Sequence, residues 1–114
     1  QSNIWSPKEY LLEFEMIDEL VKIIKERKNS SPDKSYTSSL LSGGLDKCID
    51  KLEEEFGELK KALNTKKNEI HEAADLLYHL LVALEAADVK FEDVLKELEK
   101  RKKQSGLEEK NNRS

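Results

Sequence analysis

The stretch that decides the fold is residues 69–87, EIHEAADLLYHLLVALEAA. It contains no glycine or proline, and its large apolar residues return every three or four positions, as on one face of an α-helix. That face consists of Ile70, Ala73, Leu77, Leu80, Leu81 and Leu84. The opposite face starts with Glu72, Asp75 and His79 and continues with small or apolar residues. A helix that is apolar nearly all round is usually buried on both sides, so the two acids are expected at the mouth of a buried interface.

Helical patterns extend over most of the remaining chain. Ser6, Pro7 and Glu9 form a helix start with a capping box, and an apolar stripe continues to about Lys28. A short helix over 36–42, stopped by two glycines, and a helix with Phe91, Val94, Leu95 and Leu98 on one face are also predicted. No strand pattern occurs. The prediction is an all-α bundle of four to five helices over residues 1–103, completed by dimerisation, with a disordered polar tail over 104–114.

Composition limits the possible functions. The 114 residues allow one domain, with 37% hydrophobic and 39% charged residues and a net charge of −4. Nucleic acid is not an expected partner, because phosphate affinity rests on clustered Lys and Arg. The single cysteine, Cys48, excludes an internal disulfide, and no Cys/His set for zinc is present. No signal peptide or membrane span is visible, so a cytoplasmic location without membrane contact is expected.

A second acidic cluster precedes the first one in sequence. A helix over about 45–63 carries a leucine-rich stripe, and its opposite side carries Lys47, Lys51, Glu54 and Glu58, with Glu55 at the border. The connector over 64–68 is short, so this helix and the next should be antiparallel neighbours. Glu55 and Glu58 are then expected to oppose Glu72 and Asp75.

Four converging carboxylates repel one another unless a cation lies among them. Oxygen ligands suit Mg²⁺ or Mn²⁺, and such an ion binds polyphosphates and activates water. Lys47 and Lys51 would contact the remaining phosphate charge. The alternative for all these residues is a solvated or salt-bridged helix face. His79 is expected to be a hydrogen-bonded interior histidine, and Cys48 a small inert residue next to the core stripe.

The combined motifs resemble a known family. The run from Glu72 to Val82, EAADLLYHLLV, is similar to the signature helix of the phosphoribosyl-ATP pyrophosphatases of histidine biosynthesis, in the all-α NTP pyrophosphatase (MazG-like) superfamily. Other segments agree in order over about residues 13–101: Glu26-Arg27-Lys28, Ser35-Tyr36-Thr37, Leu40-Leu41, Gly44, Asp46, Lys47, Glu54-Glu55, Glu58 and Phe91 to Leu95.

The resemblance implies hydrolysis of phosphoribosyl-ATP to phosphoribosyl-AMP and pyrophosphate, with Mg²⁺, by a homodimeric helical bundle. It implies metal ligands at Glu55, Glu58, Glu72 and Asp75. Glu54 would serve a second metal or water activation, which makes Glu54, Glu55 and Glu58 the catalytic candidates. The substrate-binding candidates are Lys47, Lys51, Arg27, Tyr36 and Thr37. Some members are fused to a cyclohydrolase, so a cyclohydrolase domain or enzyme of the same pathway is a candidate partner. This chain has no such segment and is expected to be a stand-alone enzyme or an excised domain.

Several positions depart from the family pattern. Glu53 replaces a common glycine, Phe56 replaces a small residue, Gly57 lies within a helix, and Lys90 replaces a serine cap. These departures bear on the substrate more than on the fold. Two alternatives therefore stay open, an all-α pyrophosphohydrolase acting on dNTPs or related nucleotides and a non-enzymatic helical dimerisation module.

Overall fold

The computed structural model describes the backbone of residues 7–102 and the side chains of residues 15–102. This part of the chain forms five α-helices and no strand: α1 Pro7–Lys28, α2 Tyr36–Ser42, α3 Leu45–Thr65, α4 Glu69–Ala86 and α5 Phe91–Lys102. The predicted all-α bundle is confirmed. A single 3-10 turn, Pro32–Lys34, lies in the predicted loop after α1. The predicted Ser6 cap and the polar tail over 104–114 lie outside the described residues and stay predictions.

Local chemistry sets the short connections around α2, α3 and α4. The Oγ atom of Ser35 accepts a hydrogen bond of 3.0 Å from the backbone N–H of Ser38 and so caps α2. Gly44 adopts φ +90° between α2 and α3, a conformation that favours glycine. Lys66 and Asn68 both adopt left-handed backbone conformations, which reverse the chain within three residues. As predicted, α3 and α4 therefore pack side by side as a helical hairpin.

The core lies where α1 and α2 cover one side of this hairpin. Its buried apolar members are Ile24, Leu40, Cys48, Leu81, Val82 and Ala83. Leu20, Val21, Leu41, Leu52, Tyr78, Ala86 and Phe91 pack around them. Apart from the two leucines and Ile24, the buried centre consists of small side chains, which allow the helices to approach closely.

The buried side of α3 differs from the predicted one. Cys48, Glu55 and Ala62 are buried, whereas the leucine-rich stripe taken as the core side is largely exposed. Seven-residue spacing from Cys48 places the buried line roughly 80° around the helix from that stripe. Cys48 is thus a core residue, only 1% exposed, and Phe56 is 56% exposed. The stripe did not predict the buried side of α3, because apolar character alone does not show which surface covers a residue.

Helix α4 shows the same displacement. His79, Val82 and Ala83 are buried, together with Leu81, while Ile70 is 87% exposed. The hairpin therefore has an inner face, made of Cys48, Glu55, Ala62, His79, Val82 and Ala83. Its outer face is made of Leu45, Ile49, Phe56, Leu63, Ile70, Leu77 and Leu80, all of them exposed. Within the chain, α4 buries His79 and half-buries the two acids, while Ile70, Leu77 and Leu80 of its leucine face stay exposed and Leu81 lies in the core.

The carboxyl-terminal helix joins the bundle mainly through its first residue. Phe91 packs against the core, and no α5 residue is fully buried. Helix α5 includes Arg101 and Lys102 and so continues to the last described residue. Between α4 and α5, Asp88 contacts the end of α1: its Oδ1 atom lies 2.8 Å from the Nζ atom of Lys28. No helix in the described part of the chain combines the length and apolar character needed to cross a membrane.

Candidate functional site

The first turns of α4 bring three potential metal ligands together. One ligand atom each from His71, Glu72 and Asp75 lies within 4.8 Å of the others, and His71 Nε2 is 3.3 Å from Asp75 Oδ2. Glu72 and Asp75 are half-buried and His71 is exposed. Within residues 15–102, this is the one group of three or more such ligands gathered closely enough for a single ion. Its position at the helix start favours carboxylates, because the amino end of a helix carries partial positive charge.

The acids of α3 do not join that group. Glu55 is only 8% exposed, on the inner face, while Glu54 and Glu58 are exposed. The Nζ atom of Lys51 donates to Glu54 Oε1 at 3.2 Å and lies 3.4 Å from Glu55 Oε2. The hydrogen bond with Glu54 raises the pKa of Lys51, with smaller contributions from Tyr36 and Glu55. Lys51 therefore stays charged and compensates the buried carboxylate of Glu55.

The predicted four-carboxylate set is thus partly assembled in the single chain. Glu72 and Asp75 share one group, while Glu55 and Glu58 lie on the neighbouring helix outside it. Glu55 meets a lysine instead of another acid. Joint coordination by all four residues stays a prediction.

A pair of hydrogen bonds connects α2 to α4 beside these acids. The Nδ1 atom of His79 lies 2.8 Å from the backbone oxygen of Asp75, and its Nε2 atom lies 3.1 Å from the Tyr36 hydroxyl. A carbonyl oxygen only accepts, so Nδ1 carries a proton; in that neutral tautomer Nε2 is an acceptor, to which the hydroxyl of Tyr36 donates. His79 is 7% exposed, and the prediction of a hydrogen-bonded interior histidine is confirmed.

The second bond joins the residue after Tyr36 on α2 to the residue before His79 on α4. The hydroxyl groups of Thr37 and Tyr78 are hydrogen-bonded to each other. Thr37 is buried, and the rings of Tyr36 and Tyr78 both contact the His79 ring edge-on, with centroids 5.8 Å and 5.6 Å away. The hydroxyl of Thr37, predicted to bind substrate, therefore has a protein partner on α4.

The remaining substrate-binding candidates lie on the surface. Arg27, in the last turn of α1, and Lys47, in the first turn of α3, are exposed, and so is Tyr36. The Lys47 side chain crosses Gly43, where an added Cβ would lie 3.2 Å from the lysine Cβ. Gly43 therefore leaves room for the stem of Lys47 at the α2–α3 junction.

A cavity of about 430 Å³ lies elsewhere, between α1, α4 and α5. None of the predicted site residues lines it; its apolar wall includes Val21, Leu84, Phe91 and Leu95. The candidate site is instead an open surface where α2, α3 and α4 meet.

The sequence interpretation missed two features of this site. His71 was not singled out, although its position four residues before Asp75 places both on one side of a helix. The pairing of Tyr36 with His79 joins residues 43 positions apart, and no local spacing signals such a contact.

Comparison with known proteins identifies the family of this chain. Residues 17–102 match the family model described as phosphoribosyl-ATP pyrophosphohydrolase. A phosphoribosyl-ATP pyrophosphatase of Rhizobium etli is 47% identical over 97 residues, which cover 83% of this chain and 91% of the relative. Proteins of that name from Allorhizobium ampelinum and Roseobacter denitrificans are each 46% identical over 99 residues, covering 85% of this chain and 95% and 94% of the relatives. The chain belongs to the phosphoribosyl-ATP pyrophosphohydrolase family.

Proposed function

We propose that this chain hydrolyses phosphoribosyl-ATP to phosphoribosyl-AMP and pyrophosphate, a step of histidine biosynthesis, in the cytoplasm. The structural observation that carries the proposal is the turn of α4 that gathers Glu72 and Asp75 inside the region matched to the family. Half-buried carboxylates are costly beside a hydrophobic core, and a bound cation would stabilise their charged form. The names of the relatives supply the substrate.

The proposed cofactor is Mg²⁺, with Mn²⁺ as a substitute. The donor set fits, because carboxylate oxygens are the ligands that hard divalent cations prefer. Glu72 and Asp75 would hold the ion, Glu55 and Glu58 would complete the set, and Glu54 would orient the attacking water. When bound, such an ion neutralises phosphate charge and lowers the pKa of water.

The basic residues would bind the substrate's phosphates. Lys51 is held between Glu54 and Glu55 and is positively charged, since its pKa is raised. Lys47 and Arg27 are exposed and free to turn toward an anionic ligand at this surface. The same lysine–glutamate pairs keep the acids of α3 from repelling one another when no substrate is present.

The outer face supports a homodimer. Soluble monomers rarely expose a large contiguous apolar patch, yet seven large apolar residues lie on this side of the hairpin. Their spacing along α3 and α4 is that of helices packing lengthwise. Two hairpins joined through this face by a twofold axis would form a four-helix bundle and bury the exposed stripe. A cyclohydrolase of the same pathway is a further proposed partner.

A substrate panel tests the activity. Pyrophosphate release is measured with phosphoribosyl-ATP, dATP, dCTP and ATP, each with Mg²⁺ and with excess chelator. The expected result is release from phosphoribosyl-ATP well above release from the other nucleotides, lost with chelator. Preference for a dNTP would instead assign the chain to house-cleaning of nucleotides, and no release from any of them would favour a dimerisation module.

A further inference from the structure

We propose that His79 is a positioning residue, which holds the Tyr36 end of α2 at a fixed place relative to the Asp75 turn of α4. This inference rests on the proposed function, because it concerns how the substrate site is assembled. Its basis is the double use of the imidazole ring, at 2.8 Å to the Asp75 carbonyl and 3.1 Å to the Tyr36 hydroxyl.

The ring itself has little freedom. In an α-helix the carbonyl of Asp75 already accepts the backbone N–H four residues later, which belongs to His79. The ring Nδ1–H shares this oxygen and so fixes the imidazole against its own helix. Burial and two edge-on ring contacts, from Tyr36 and Tyr78, restrict it further. The Nε2 atom therefore presents an acceptor in one direction only, and Tyr36 meets it.

Helix α2 needs such an anchor. It has seven residues, too few to be stable alone, and it follows a polar loop. Its first two residues are bonded to two consecutive residues of α4, Tyr36 to His79 and Thr37 to Tyr78. This paired arrangement fixes the rotation of α2 as well as its distance from α4.

The anchored residue faces the site. Tyr36 remains 54% exposed although its hydroxyl is bonded, and it begins α2, which packs against α3. The hydrogen bond that Tyr36 donates to His79 thus sets the position of an exposed ring on the helix that packs beside α3. The other bond ends at the backbone of Asp75, a proposed metal ligand. His79 touches neither substrate nor metal in this arrangement and acts through these neighbours.

The test is a double-mutant cycle on turnover. Tyr36→Phe removes only the hydroxyl. His79→Asn keeps a donor at the place of Nδ1 but cannot reach Tyr36, whereas His79→Gln places its amide at the position of Nε2. Ser42→Ala is the matched control, because it removes another α2 hydroxyl, one bonded only within its own helix. Values of kcat and KM are measured at a temperature where circular dichroism shows every variant fully folded.

The proposal predicts that Tyr36→Phe and His79→Asn each lower kcat by about tenfold, that the double variant is no slower than either, and that His79→Gln recovers most of the rate. Ser42→Ala should match the wild type. Independent losses that multiply in the double variant, or two fully active single variants, would overturn it.

Nitrogen-15 NMR of the imidazole gives a readout that does not depend on turnover. The expected signature is a ring protonated at Nδ1, with an Nε2 shift that changes on Tyr36→Phe. A ring protonated at Nε2 would contradict the proposal even in an active enzyme. A wild type that releases no pyrophosphate from any nucleotide while keeping this signature would instead refute the proposed function.

Discussion

The two faces of the α3–α4 hairpin differ in the size of their side chains and in their burial. The inner face has small or polar residues at its centre, such as Cys48, Ala62 and Ala83, and it is buried; Ile24 of α1 and Leu40 of α2 pack with Cys48 and Ala83. The outer face has the larger side chains, including Phe56 and Ile70, and it is exposed. Within residues 15–102, the hairpin therefore leaves seven large apolar residues outside the core of its own chain.

This difference has a physical reason. Small residues allow helices to approach closely, and they leave space for the hydrogen-bonded groups of His79 and Glu55 on the inner face. Large side chains are effective where two extended surfaces meet, because each buries more area. We therefore read the inner face as the surface that shapes the site and the outer face as the surface that joins two copies. Four measurements test whether the two faces differ in this way.

The largest expected effect is on the core that covers the inner face. Ile24→Ala should lower the free energy of unfolding by about 2–5 kcal/mol, because Ile24 is fully buried and a cavity would remain. Its neighbour provides the control, since Ile23 is exposed and Ile23→Ala should cost far less. Urea unfolding of both variants measures this difference. Equal losses of free energy of unfolding would show that Ile24 is not a core residue.

Next in size is the effect of a charge on the outer face. Phe56→Asp should raise the dissociation constant of the proposed homodimer by at least about a hundredfold, since an aromatic residue of the outer face is replaced by a carboxylate that a buried interface would not solvate. Met16→Asp alters an exposed apolar residue on α1 and should leave self-association nearly unchanged. Analytical ultracentrifugation measures both. A wild type that stays monomeric at high concentration would break the comparison.

A smaller effect concerns Cys48, on the inner face. Burial raises the pKa of its thiol above the ordinary value of 9.0, so the folded state holds this proton more tightly than the unfolded state. The stabilisation is complete below about pH 9 and is lost as the pH rises through the folded-state pKa. Cys48→Ala should therefore show a shallower loss of stability than the wild type between pH 8 and 11. The free energy of unfolding is measured by urea titration at each pH. The same pH dependence in both proteins would show that the Cys48 thiol is exposed to solvent.

The smallest expected effect lies at the far end of the hairpin. Lys28 bonds to the exposed Asp88 and to the backbone oxygen of Glu85, and it lies 3.7 Å from the Glu85 carboxylate, which Lys25 also approaches to 3.7 Å. Lys28→Met should shift the melting temperature by no more than about a few degrees, because exposed ion pairs contribute little. Differential scanning calorimetry at low and high salt checks this. A large, salt-sensitive loss would show that the ends of α1 and α4 depend on this contact.

The sequence was sufficient for the helices but not for their orientation. Helix ends follow from local chemistry, as with Ser35 and Gly44, so their positions could be predicted within a few residues. The side that faces the core could not, because a leucine stripe is equally apolar whether covered by its own chain or by a second one. Glu55, which was predicted at the border of the stripe, is buried because the side of α3 that faces the core lies next to the stripe.

The candidate site divides in the same way. Glu72 and Asp75 were found because two acids interrupt an apolar helix, which is a local signal. The links from Tyr36 to His79 and from Lys51 to Glu55 depend on how three helices are packed, and only the tertiary structure shows them.

The most direct test of the account concerns the acids of α4. Glu72→Gln removes a charge from the group formed with His71 and Asp75, while Glu69→Gln removes one from the same first turn outside that group. With phosphoribosyl-ATP and Mg²⁺, we expect at least about a hundredfold loss of pyrophosphate release for Glu72→Gln, near-normal release for Glu69→Gln, and unchanged helicity for both. Wild-type turnover by Glu72→Gln would contradict it.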